Sequence, residues 1–382
     1  MIIHVCNVDE EGRFGGPERR IVQVAKALKA YGVETHVVYP KIDSELFESQ
    51  LQHYEINSTQ LDITRLSKQK GVLFRYLLRF PIEVLLLRKF FSANDFHIIH
   101  VNGAYQYKAA IAGKSLAIPI VWHLNDTHLA GIVKLIFSLL AKILASGYIV
   151  AGKRVYDYYL ATLHVKEDLV EEIHAPVNLI HFNPNNYEKK NDLNSSEISI
   201  GTVSSIIPVK GVEYFIEVAA KLMKIFTNLN FSIAGQSLGS QKKYQKVIED
   251  RIVQLGIERK IEILGFVSDV PYYLSKLDIF VCTSISEASP TSVWEALAMG
   301  KPVVTTDVGS VSQYISNGDS GFIVPVGDVD ELVKKITYLI RDSTLRKKFS
   351  ENAKKMAQEK LGVESAALKH KIAYSKIYSI HK

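Results

Sequence analysis

Short apolar runs alternate with amphipathic segments along most of the chain. The runs are rich in Ile, Val and Phe, which is typical of buried strands, and the apolar spacing between them is typical of helices packed on a sheet. Alternation of this kind predicts parallel strands connected by helices. Strands are predicted at 2–8, 34–39, 97–101, 119–123, 147–151, 197–203, 230–234, 260–264, 278–283 and 302–306, and helices at 18–31, 105–116, 211–226, 241–255 and 328–341.

A stretch without periodicity divides these elements into two sets. Residues 174–197 are rich in Asn, Pro, Lys and Ser and fit neither a helix nor a strand. The chain has 382 residues, more than one hydrophobic core usually holds. Two doubly wound domains are therefore expected. Because ligands of open α/β sheets bind beyond the carboxyl ends of the strands, two such domains facing each other would form a ligand cleft.

The composition is that of an ordinary globular protein. With 47% hydrophobic and 23% charged residues, the chain is not of the disordered class. A formal charge of +6 is too small for a dedicated nucleic-acid binder, so no nucleic-acid partner is expected. No run approaches the roughly 18 uncharged apolar residues that a membrane span requires.

The N-terminus and the cysteines indicate a cytoplasmic protein. The opening residues, MIIHVCNVDEEG, lack a basic region and soon turn acidic, so they predict a first strand and not a signal peptide. Cys6 and Cys282 lie far apart in apolar runs. Such cysteines are typical of buried free thiols in a reducing compartment.

Two glutamates flank a predicted strand-to-helix turn in SEASPTSVWEALAMGKPVV, residues 286–304. Ser289 suits the N-cap of the helix and Pro290 suits its first position. A turn of this kind presents unpaired backbone N–H groups and the positive end of the helix dipole, which form an anion site. A diphosphate would bind there, with Glu287 and Glu295 binding the hydroxyls of a sugar and of a ribose.

The same pair has an ordinary structural explanation. Glu287 would be a charge near the first turn and Glu295 a solvated helix residue. For two isolated glutamates this explanation would be favoured. The surrounding sequence reverses that preference.

The stretch resembles the E-x7-E signature of retaining glycosyltransferases of family 4, which have the GT-B fold. Other segments resemble, in order, the family's glycine loop with its helix and second strand, its middle strands, its donor-phosphate lysine and the approach to the signature. They are GGPERRIVQVAKALKAYGVETHVVYP, HIIHVNG, IPIVWHLNDTH, PVKGVEYFIEVAAKL and IEILGFVSDVPYYLSKLDIFVCTSISEASP, followed by GKPVVTTDVGS and SGFIVPVGDVDEL. This ordered set covers nearly the whole chain.

The resemblance implies roles for the residues that match the family's motifs. The first glutamate of the signature contacts donor-sugar hydroxyls and the second holds the ribose, and these positions are Glu287 and Glu295. The lysine that neutralises the diphosphate is Lys210, and the histidine near the donor sugar is His123. Because charge grows on the diphosphate as the glycosidic bond breaks, a positioned cation stabilises the transition state more than the ground state.

Backbone groups complete the implied donor site. Gly15 and Gly16 would let the backbone approach phosphate or acceptor closely. Because a proline without an N–H follows Ser289, the amides of Ser289, Thr291 and Ser292 would serve the diphosphate.

Several of these positions have plain alternatives. Gly15 and Gly16 by themselves would be a simple turn, and His123 could equally be a core histidine. His100 and His128 are weaker candidates for the same role.

Three positions depart from the family pattern. Ser205 stands where an arginine is common, five residues before Lys210, and a hydrogen bond to a charged group is typically worth about 1.5–3 kcal/mol. Residues 288–290 read Ala-Ser-Pro where Gly-Phe-Gly is frequent, and Gln313 stands where an acid is common. These changes affect the details of the donor pocket more than its location.

A second acidic motif has a structural explanation. Asp328 and Asp330 in GDVDEL look like the metal-binding DxD of other glycosyltransferases. Asp328 precedes an amphipathic helix and Glu331 follows three residues later, which is the pattern of a capping box. We favour the cap, and we expect neither a bound metal nor a cofactor.

A basic and apolar stretch, 65–91, reads RLSKQKGVLFRYLLRFPIEVLLLRKFF. It carries seven basic residues and a single acid, Glu83. We favour an interfacial helix on an anionic membrane surface over an ordinary core-facing helix. For the second amphipathic stretch, 132–145, the core-facing helix is favoured.

The sequence therefore predicts an α/β protein of the GT-B fold, with two Rossmann-like doubly wound domains. Residues 1–176, rejoined by a helix at 365–382, would bind the acceptor, and residues 177–364 would bind the donor. The predicted reaction is retaining transfer of a sugar from a nucleotide diphosphate sugar to a glycan or lipid-linked acceptor, in cell-surface polysaccharide synthesis. Two alternatives remain open: a non-catalytic nucleotide-sugar-binding partner of another transferase, and a GT-B nucleotide-sugar epimerase.

Overall fold

The structure is a computed structural model that describes residues 2–66, 70–126, 129, 131–163, 166–187, 197–237 and 241–382. The chain divides into two compact units. Unit 1 comprises Met1–Pro176 and Val363–Lys382, and unit 2 comprises Val177–Gly362. The sequence placed the return to the first unit near residue 365, and in the structure it occurs at Val363.

Unit 1 is built on a seven-stranded parallel sheet. Its strands are β1 (Ile3–Val8), β2 (Val33–Pro40), β3 (Ser58–Leu61), β4 (Ile98–Asn102), β5 (Ile120–Leu124), β6 (Gly147–Val150) and β7 (Val170–Glu172), in the order β3-β2-β1-β4-β5-β6-β7. The direction of winding reverses at β1, which pairs with both β2 and β4. A reversal of this kind is where open α/β sheets bind ligands.

Helices cover this sheet. They are α1 (Gly16–Leu28), α2 (Glu45–His53), α3 (Lys70–Ser92), α4 (Tyr107–Lys114), α5 (Gly131–Leu144) and α6 (Lys153–Leu163). The predicted segment 65–91 is thus mostly helix α3, and its residues 67–69 lie outside the described part of the chain.

Unit 2 repeats the plan with a six-stranded parallel sheet. Its strands are β8 (Ile198–Val203), β9 (Leu229–Ala234), β10 (Ile261–Gly265), β11 (Ile279–Cys282), β12 (Val303–Thr306) and β13 (Phe322–Val324), in the order β10-β9-β8-β11-β12-β13. Its helices are α7 (Val212–Met223), α8 (Lys242–Leu255), α9 (Val270–Ser275), α10 (Thr291–Ala298), α11 (Val311–Tyr314), α12 (Val329–Arg341) and α13 (Ser343–Lys360).

The cores lie on both faces of each sheet. In unit 2, one core gathers α7, α8 and α12 around Phe215 and Phe231, and the other gathers α9, α10 and α13 around Trp294 and Phe280. In unit 1 the last helix, α14 (Val363–His381), packs on α1 and on the sheet. A Cβ added at Gly147 of β6 would come within 2.5 Å of Ile377, so a glycine there allows α14 to lie close to the sheet.

All ten predicted strands are present, and the prediction of two Rossmann-like α/β domains is confirmed. The strands that sequence reasoning missed are β3, β7 and β13, each at an edge of its sheet and only three or four residues long. Within the described residues, no helix is both long and apolar enough to cross a membrane.

Candidate functional site

Two loops at the carboxyl ends of β8 and β11 lie against each other in unit 2. The backbone N–H of Ile285 donates to the carbonyl of Val209 at 2.9 Å. Gly211 has a φ of +58°, and a Cβ added there would lie 2.2 Å from the carbonyl oxygen of Thr283. A glycine is therefore required at 211 both by the left-handed backbone and by the close contact. The contact fixes the position of Lys210, which precedes it.

Lys210 and Glu287, 77 residues apart in sequence, form the centre of this site. Lys210 Nζ donates to Glu287 Oε1 at 2.5 Å, and the Ser284 hydroxyl donates to the same oxygen at 2.8 Å. Their side chains are 27% and 14% exposed, so the pair is shielded but reachable from solvent. The structure thus brings together two residues that the sequence singled out separately, and places a cation and an acceptor side by side.

Helix α10 begins next to this pair, one residue later than predicted. Its N-cap is Pro290 and its first residue is Thr291, so the assignment of Ser289 as N-cap is wrong. The reason is that the Ser289 hydroxyl accepts a hydrogen bond from Trp294 Nε1 at 2.9 Å. Thr291 and Ser292 lie half-buried in the first turn, where backbone N–H groups have no helical partner.

Glu295 is buried in the second turn of α10, at 7% exposure. The structure therefore overturns the explanation of this residue as a solvated position on a helix. A glutamate is seldom buried in a helix of a soluble protein unless it is partnered or binds something. Ser205 is exposed on the loop after β8, and Gln313 lies in the short helix α11.

His123 lies inside unit 1 and is completely buried. Arg20 Nη1 lies 2.7 Å from His123 Nε2 and 2.8 Å from Asn125 Oδ1, and Arg20 Nη2 donates to Asn102 Oδ1 at 2.8 Å. A guanidinium can only donate, so Nε2 of His123 is an acceptor and its ring proton is on Nδ1. Within the described structure this Nδ1 has no hydrogen-bond partner.

Neighbouring histidines share this environment. The His123 ring lies 5.3 Å from that of His100 and 5.8 Å from that of His370. Burial, followed by the Arg20 charge, holds the pKa of His123 well below its usual value, and burial lowers the pKa of His370 to about 3. Burial also lowers the pKa of Arg20 to about 10, which leaves it charged at neutral pH. The cluster is therefore one cation surrounded by neutral rings.

This placement bears on the predicted role of His123. The ring shows no polar atom to solvent, whereas Asn125 lies just beyond the end of β5 and is half-buried. A direct contact of His123 with a sugar stays a prediction, and His128 lies outside the described residues. Sequence reasoning missed Arg20 and Asn125. The signal was available, because Arg20 falls on the apolar face of α1, next to Ile21 and one turn before Val24.

Gly15 and Gly16 lie at the start of α1. Gly15 is the N-cap, and its N–H donates to Glu18 Oε2 at 2.8 Å. A Cβ added at Gly16 would meet no described atom within 4 Å, and one at Gly15 would meet only the Glu18 carboxylate at 3.3 Å. Packing inside the described part of unit 1 thus does not require either glycine. Both leave open space at the start of a helix.

The DxD-like pair is engaged in structural contacts. Asp328 caps α12 as predicted, accepting from the Glu331 N–H at 2.9 Å. The Glu331 carboxylate pairs with Lys334 and Lys335, so the second half of the predicted capping box is not formed. Asp330 forms an ion pair with Lys221. Among the described residues, no group of three or more His, Cys, Asp or Glu side chains is placed to hold a metal ion.

Comparison with known proteins agrees with this architecture. The family described as Glycosyltransferase Family 4 matches residues 14–180, and that described as Glycosyl transferases group 1 matches residues 184–356. Anabaena HepE, solved in complex with UDP, is 20% identical, with a TM-score of 0.82 over 98% of this chain and 100% of HepE. At this identity the likeness shows the fold alone.

Two curated relatives are similar over less than half of the chain. An alpha-D-kanosaminyltransferase of Streptomyces kanamyceticus is 31% identical over 43% of this chain and 42% of its own length. The capsular polysaccharide biosynthesis glycosyltransferase CapM of Staphylococcus aureus is 28% identical over 45% of this chain and 44% of its own. The alignments thus span less than half the length of these two relatives. With both halves matched in order and the fold shared over its length, the chain belongs to the GT-B glycosyltransferases of the family 4 type.

Proposed function

We propose that this protein transfers a sugar from a nucleoside diphosphate sugar to a glycan or lipid-linked acceptor, with retention at the anomeric carbon, in cell-surface polysaccharide synthesis. The observation that carries the proposal is the Lys210–Glu287 pair beside the first turn of α10. The similarity to CapM supports the polysaccharide context.

Lys210 would bind the diphosphate. An ammonium that is partly exposed next to helix-start amides attracts an anion, and a donor diphosphate would take Lys210 from Glu287. Negative charge builds on the diphosphate as the glycosidic bond breaks, so these groups lower the barrier as well as bind the donor. The amides of Ser289, Thr291 and Ser292 would supply the remaining donors.

Glu287 and Glu295 would orient the two sugars of the donor. Once Lys210 turns to the diphosphate, Glu287 Oε1 is an acceptor for donor-sugar hydroxyls, with the Ser284 hydroxyl holding its position. Glu295 would accept the ribose hydroxyls from the second turn of the same helix. No side chain is assigned as a covalent nucleophile.

Unit 1 would bind the acceptor. The open start of α1 at Gly15 and Gly16 gives a backbone surface that a sugar or phosphate can approach. Arg20 would hold the neutral His123 and the strand-end Asn125 in fixed positions, and His123 would support the sugar near the reacting carbon.

Metal-free catalysis belongs to the same proposal. Lys210 and the first turn of α10 would provide the positive charge that a divalent cation supplies in metal-dependent transferases. Asp328 and Asp330 already serve a helix cap and an ion pair.

Attachment to an anionic membrane surface is the last part of the proposal. On α3 the side chains of Phe74, Leu77, Leu78, Ile82 and Leu85 are between 60% and 64% exposed. The acid of this helix, Glu83, is buried, so its exposed face carries cations without a carboxylate. Each cation near anionic lipid contributes up to about 1 kcal/mol.

Helix α5, for which a core-facing helix was favoured, also has an exposed apolar face. Phe137 and Ala141 face the core, as expected, but Leu135, Leu139 and Ile143 are 57% to 65% exposed next to the exposed Lys134 and Lys142. Apolar side chains rimmed by lysines fit an anionic bilayer better than they fit water.

The test begins with the nucleotide. UDP, GDP and ADP and their sugars are compared by thermal shift, and the sugar that stabilises the protein is then offered without acceptor, with release of the nucleoside diphosphate followed in the presence of EDTA. Lys210→Ala should lower kcat/KM by at least about tenfold, since a charge-assisted bond is worth more than about 1.4 kcal/mol. Lys221→Ala removes a lysine from an exposed ion pair of the same unit and is the matched control.

The outcomes separate the alternatives. Binding of a nucleotide sugar without turnover towards any acceptor would favour the non-catalytic partner, which the serine at 205 suggests. Formation of an epimer of the donor sugar would favour the epimerase. A strict requirement for Mn²⁺ or Mg²⁺ would show that the metal-free mechanism is wrong.

A further inference from the structure

A cavity of about 390 Å³ in unit 1 has no role in the function described so far. It lies at the carboxyl ends of three neighbouring strands and at the start of α3. Its lining combines charged and apolar side chains, among them Glu11, Ile42, Ile63, Arg65, Val72 and Arg75. The carboxyl edge of a parallel sheet is where such folds bind ligands.

The two arginines give the cavity a cationic side. Arg65 is only 22% exposed and forms an ion pair with Asp43, whose Oδ2 lies 3.1 Å from Arg65 Nη1. Arg75 is exposed and has no ion pair with a described residue. Because a guanidinium has five N–H donors, one carboxylate leaves Arg65 able to donate to an anionic ligand, and Arg75 adds a second positive charge.

One wall of the cavity is held rigidly from behind. Thr64 donates from its N–H and its hydroxyl to Glu83 Oε2 at 2.9 and 3.1 Å. Lys108 Nζ lies 2.7 Å from the same Glu83 oxygen and 3.1 Å from Glu10 Oε2, and it also donates to the Thr64 carbonyl. All three charged side chains are at most 4% exposed. A buried and connected network of this kind fixes the wall before a ligand arrives.

The cavity borders the exposed apolar face of α3. Val72 and Arg75 line it, and Phe74 and Leu78, on neighbouring positions of the helix, are 64% and 61% exposed. A ligand held in the cavity can therefore continue along an apolar surface. This arrangement fits a molecule with an anionic head and a hydrocarbon tail better than a free anion.

We propose that this cavity binds the phosphate-bearing head group of a lipid-linked acceptor. Arg65 and Arg75 contact the phosphate, Glu11 accepts a hydroxyl of the attached sugar, and the apolar side chains contact carbon atoms. The lipid tail leaves along α3. This inference rests on the proposed transferase function, and it names the chemical class of its acceptor.

Binding of farnesyl phosphate to the full-length protein in a non-ionic detergent tests the inference, with farnesol and inorganic phosphate as probes that each lack one half of the ligand. Farnesyl phosphate should bind best, and the double variant Arg65→Gln/Arg75→Gln should weaken its binding by at least about tenfold. Lys114→Gln removes an exposed cation of α4, in the same unit but outside the cavity lining, and should change binding by less than about twofold. Nucleoside diphosphate binding is measured on the same samples.

The results distinguish this inference from the proposed function. If wild type does not bind farnesyl phosphate, or if Lys114→Gln weakens this binding as much as the double variant does, the cavity is not the head-group site, even with nucleotide binding intact. If inorganic phosphate binds as tightly as farnesyl phosphate, the assignment to a lipid is wrong. Absence of nucleotide binding in wild type would instead contradict the transferase proposal. An unchanged thermal unfolding curve of the double variant shows that unit 1, which holds both arginines, is still folded.

Discussion

Lys210 and Glu287 in unit 2 and Arg20 and His123 in unit 1 are both cation-centred pairs, but they differ in burial. The side chains of the first pair are 27% and 14% exposed, whereas His123 is completely buried and Arg20 is only 7% exposed. The first pair holds a single ion pair that a stronger anion can replace. Arg20 holds three neutral acceptors, one on β4, one on β5 and one just beyond β5, and its removal would leave them without this donor.

The difference in burial separates residues that act on ligands from residues that hold other side chains in position. An ion pair open to solvent adds about 0–1 kcal/mol to stability, so its presence at a loop junction is better explained by ligand binding. A buried guanidinium must be fully partnered to be tolerated, so its contribution is to structure. Mutations can therefore break one pair without affecting what the other does.

The largest expected effect is on the stability of unit 1. Arg20→Leu should lower the free energy of unfolding by about 3 kcal/mol, because it leaves buried acceptors unpaired. Chemical denaturation measures the change. Arg19→Leu, on the exposed side of the same helix, is the control and should stay within about 0.5 kcal/mol of wild type. Equal stability of the two variants would show that the Arg20 contacts do not stabilise unit 1.

The second effect is on turnover, with little change in stability. Glu287→Gln should reduce kcat by at least about tenfold and change donor affinity less, because the neutral amide accepts sugar hydroxyls more weakly than a carboxylate. Its melting temperature should match that of wild type, since the Lys210–Glu287 pair is partly exposed. Steady-state kinetics with the donor identified by thermal shift would show this. A variant with wild-type kcat would mean that Glu287 does not contact the donor sugar.

The third effect is on nucleotide affinity. Glu295→Gln should weaken binding of the free nucleoside diphosphate by about tenfold, because a hydrogen bond to a charged acceptor is worth about 1.5–3 kcal/mol. Calorimetry with nucleoside diphosphate alone isolates the effect from the sugar. Glu287→Gln is the control and should bind nucleoside diphosphate like wild type. The reverse order of affinities would exchange the roles of the two glutamates.

The fourth effect is on membrane binding. Replacing Arg88 and Lys89 of α3 and Lys134 and Lys142 of α5 with Gln should release the protein from anionic vesicles at low salt and leave donor hydrolysis unchanged. Wild type should also dissociate as salt rises, because surface charges are screened within about 10 Å at 0.1 M. Vesicle flotation with and without acidic phospholipid measures both. Wild type that floats free of anionic vesicles would show that these faces bind something else.

The smallest effect is on the dependence of stability on pH. The pKa of His370 is lowered in the folded state from 6.5 to about 3, so the unfolded chain binds more protons below about pH 6.5. The stability that the neutral His370 contributes is therefore fully present above about pH 6.5 and is lost as the pH falls. Glu18, whose pKa burial raises to about 7, acts in the opposite direction. The test therefore compares the two proteins. Between pH 7 and pH 5, the free energy of unfolding of His370→Gln should fall less than that of wild type. Parallel curves would contradict a neutral, buried His370.

The elements that were predicted correctly are those whose sequence signal lies within a few neighbouring residues. Ten of the strands and the cap at Asp328 follow from runs and spacings that act within a few residues, and these were predicted. The edge strands β3, β7 and β13 are short and two of them are polar, because an edge strand buries less side-chain surface and carries a weaker pattern. They were missed for that reason.

The sequence by itself determined the α/β architecture, the division into two domains and the stretch that holds Glu287 and Glu295, because strand composition, breaks in periodicity and helix-start residues are properties of neighbouring positions. Only the tertiary structure decided that Lys210 contacts Glu287, that Ser289 serves Trp294 instead of the helix start, and that Arg20 reaches His123 across 103 residues. It also decided that loops after three strands enclose a cavity with Arg65 and Arg75. Such contacts depend on how the sheet brings together loops that are far apart in sequence, and the spacing of residues along the chain does not encode which loops meet.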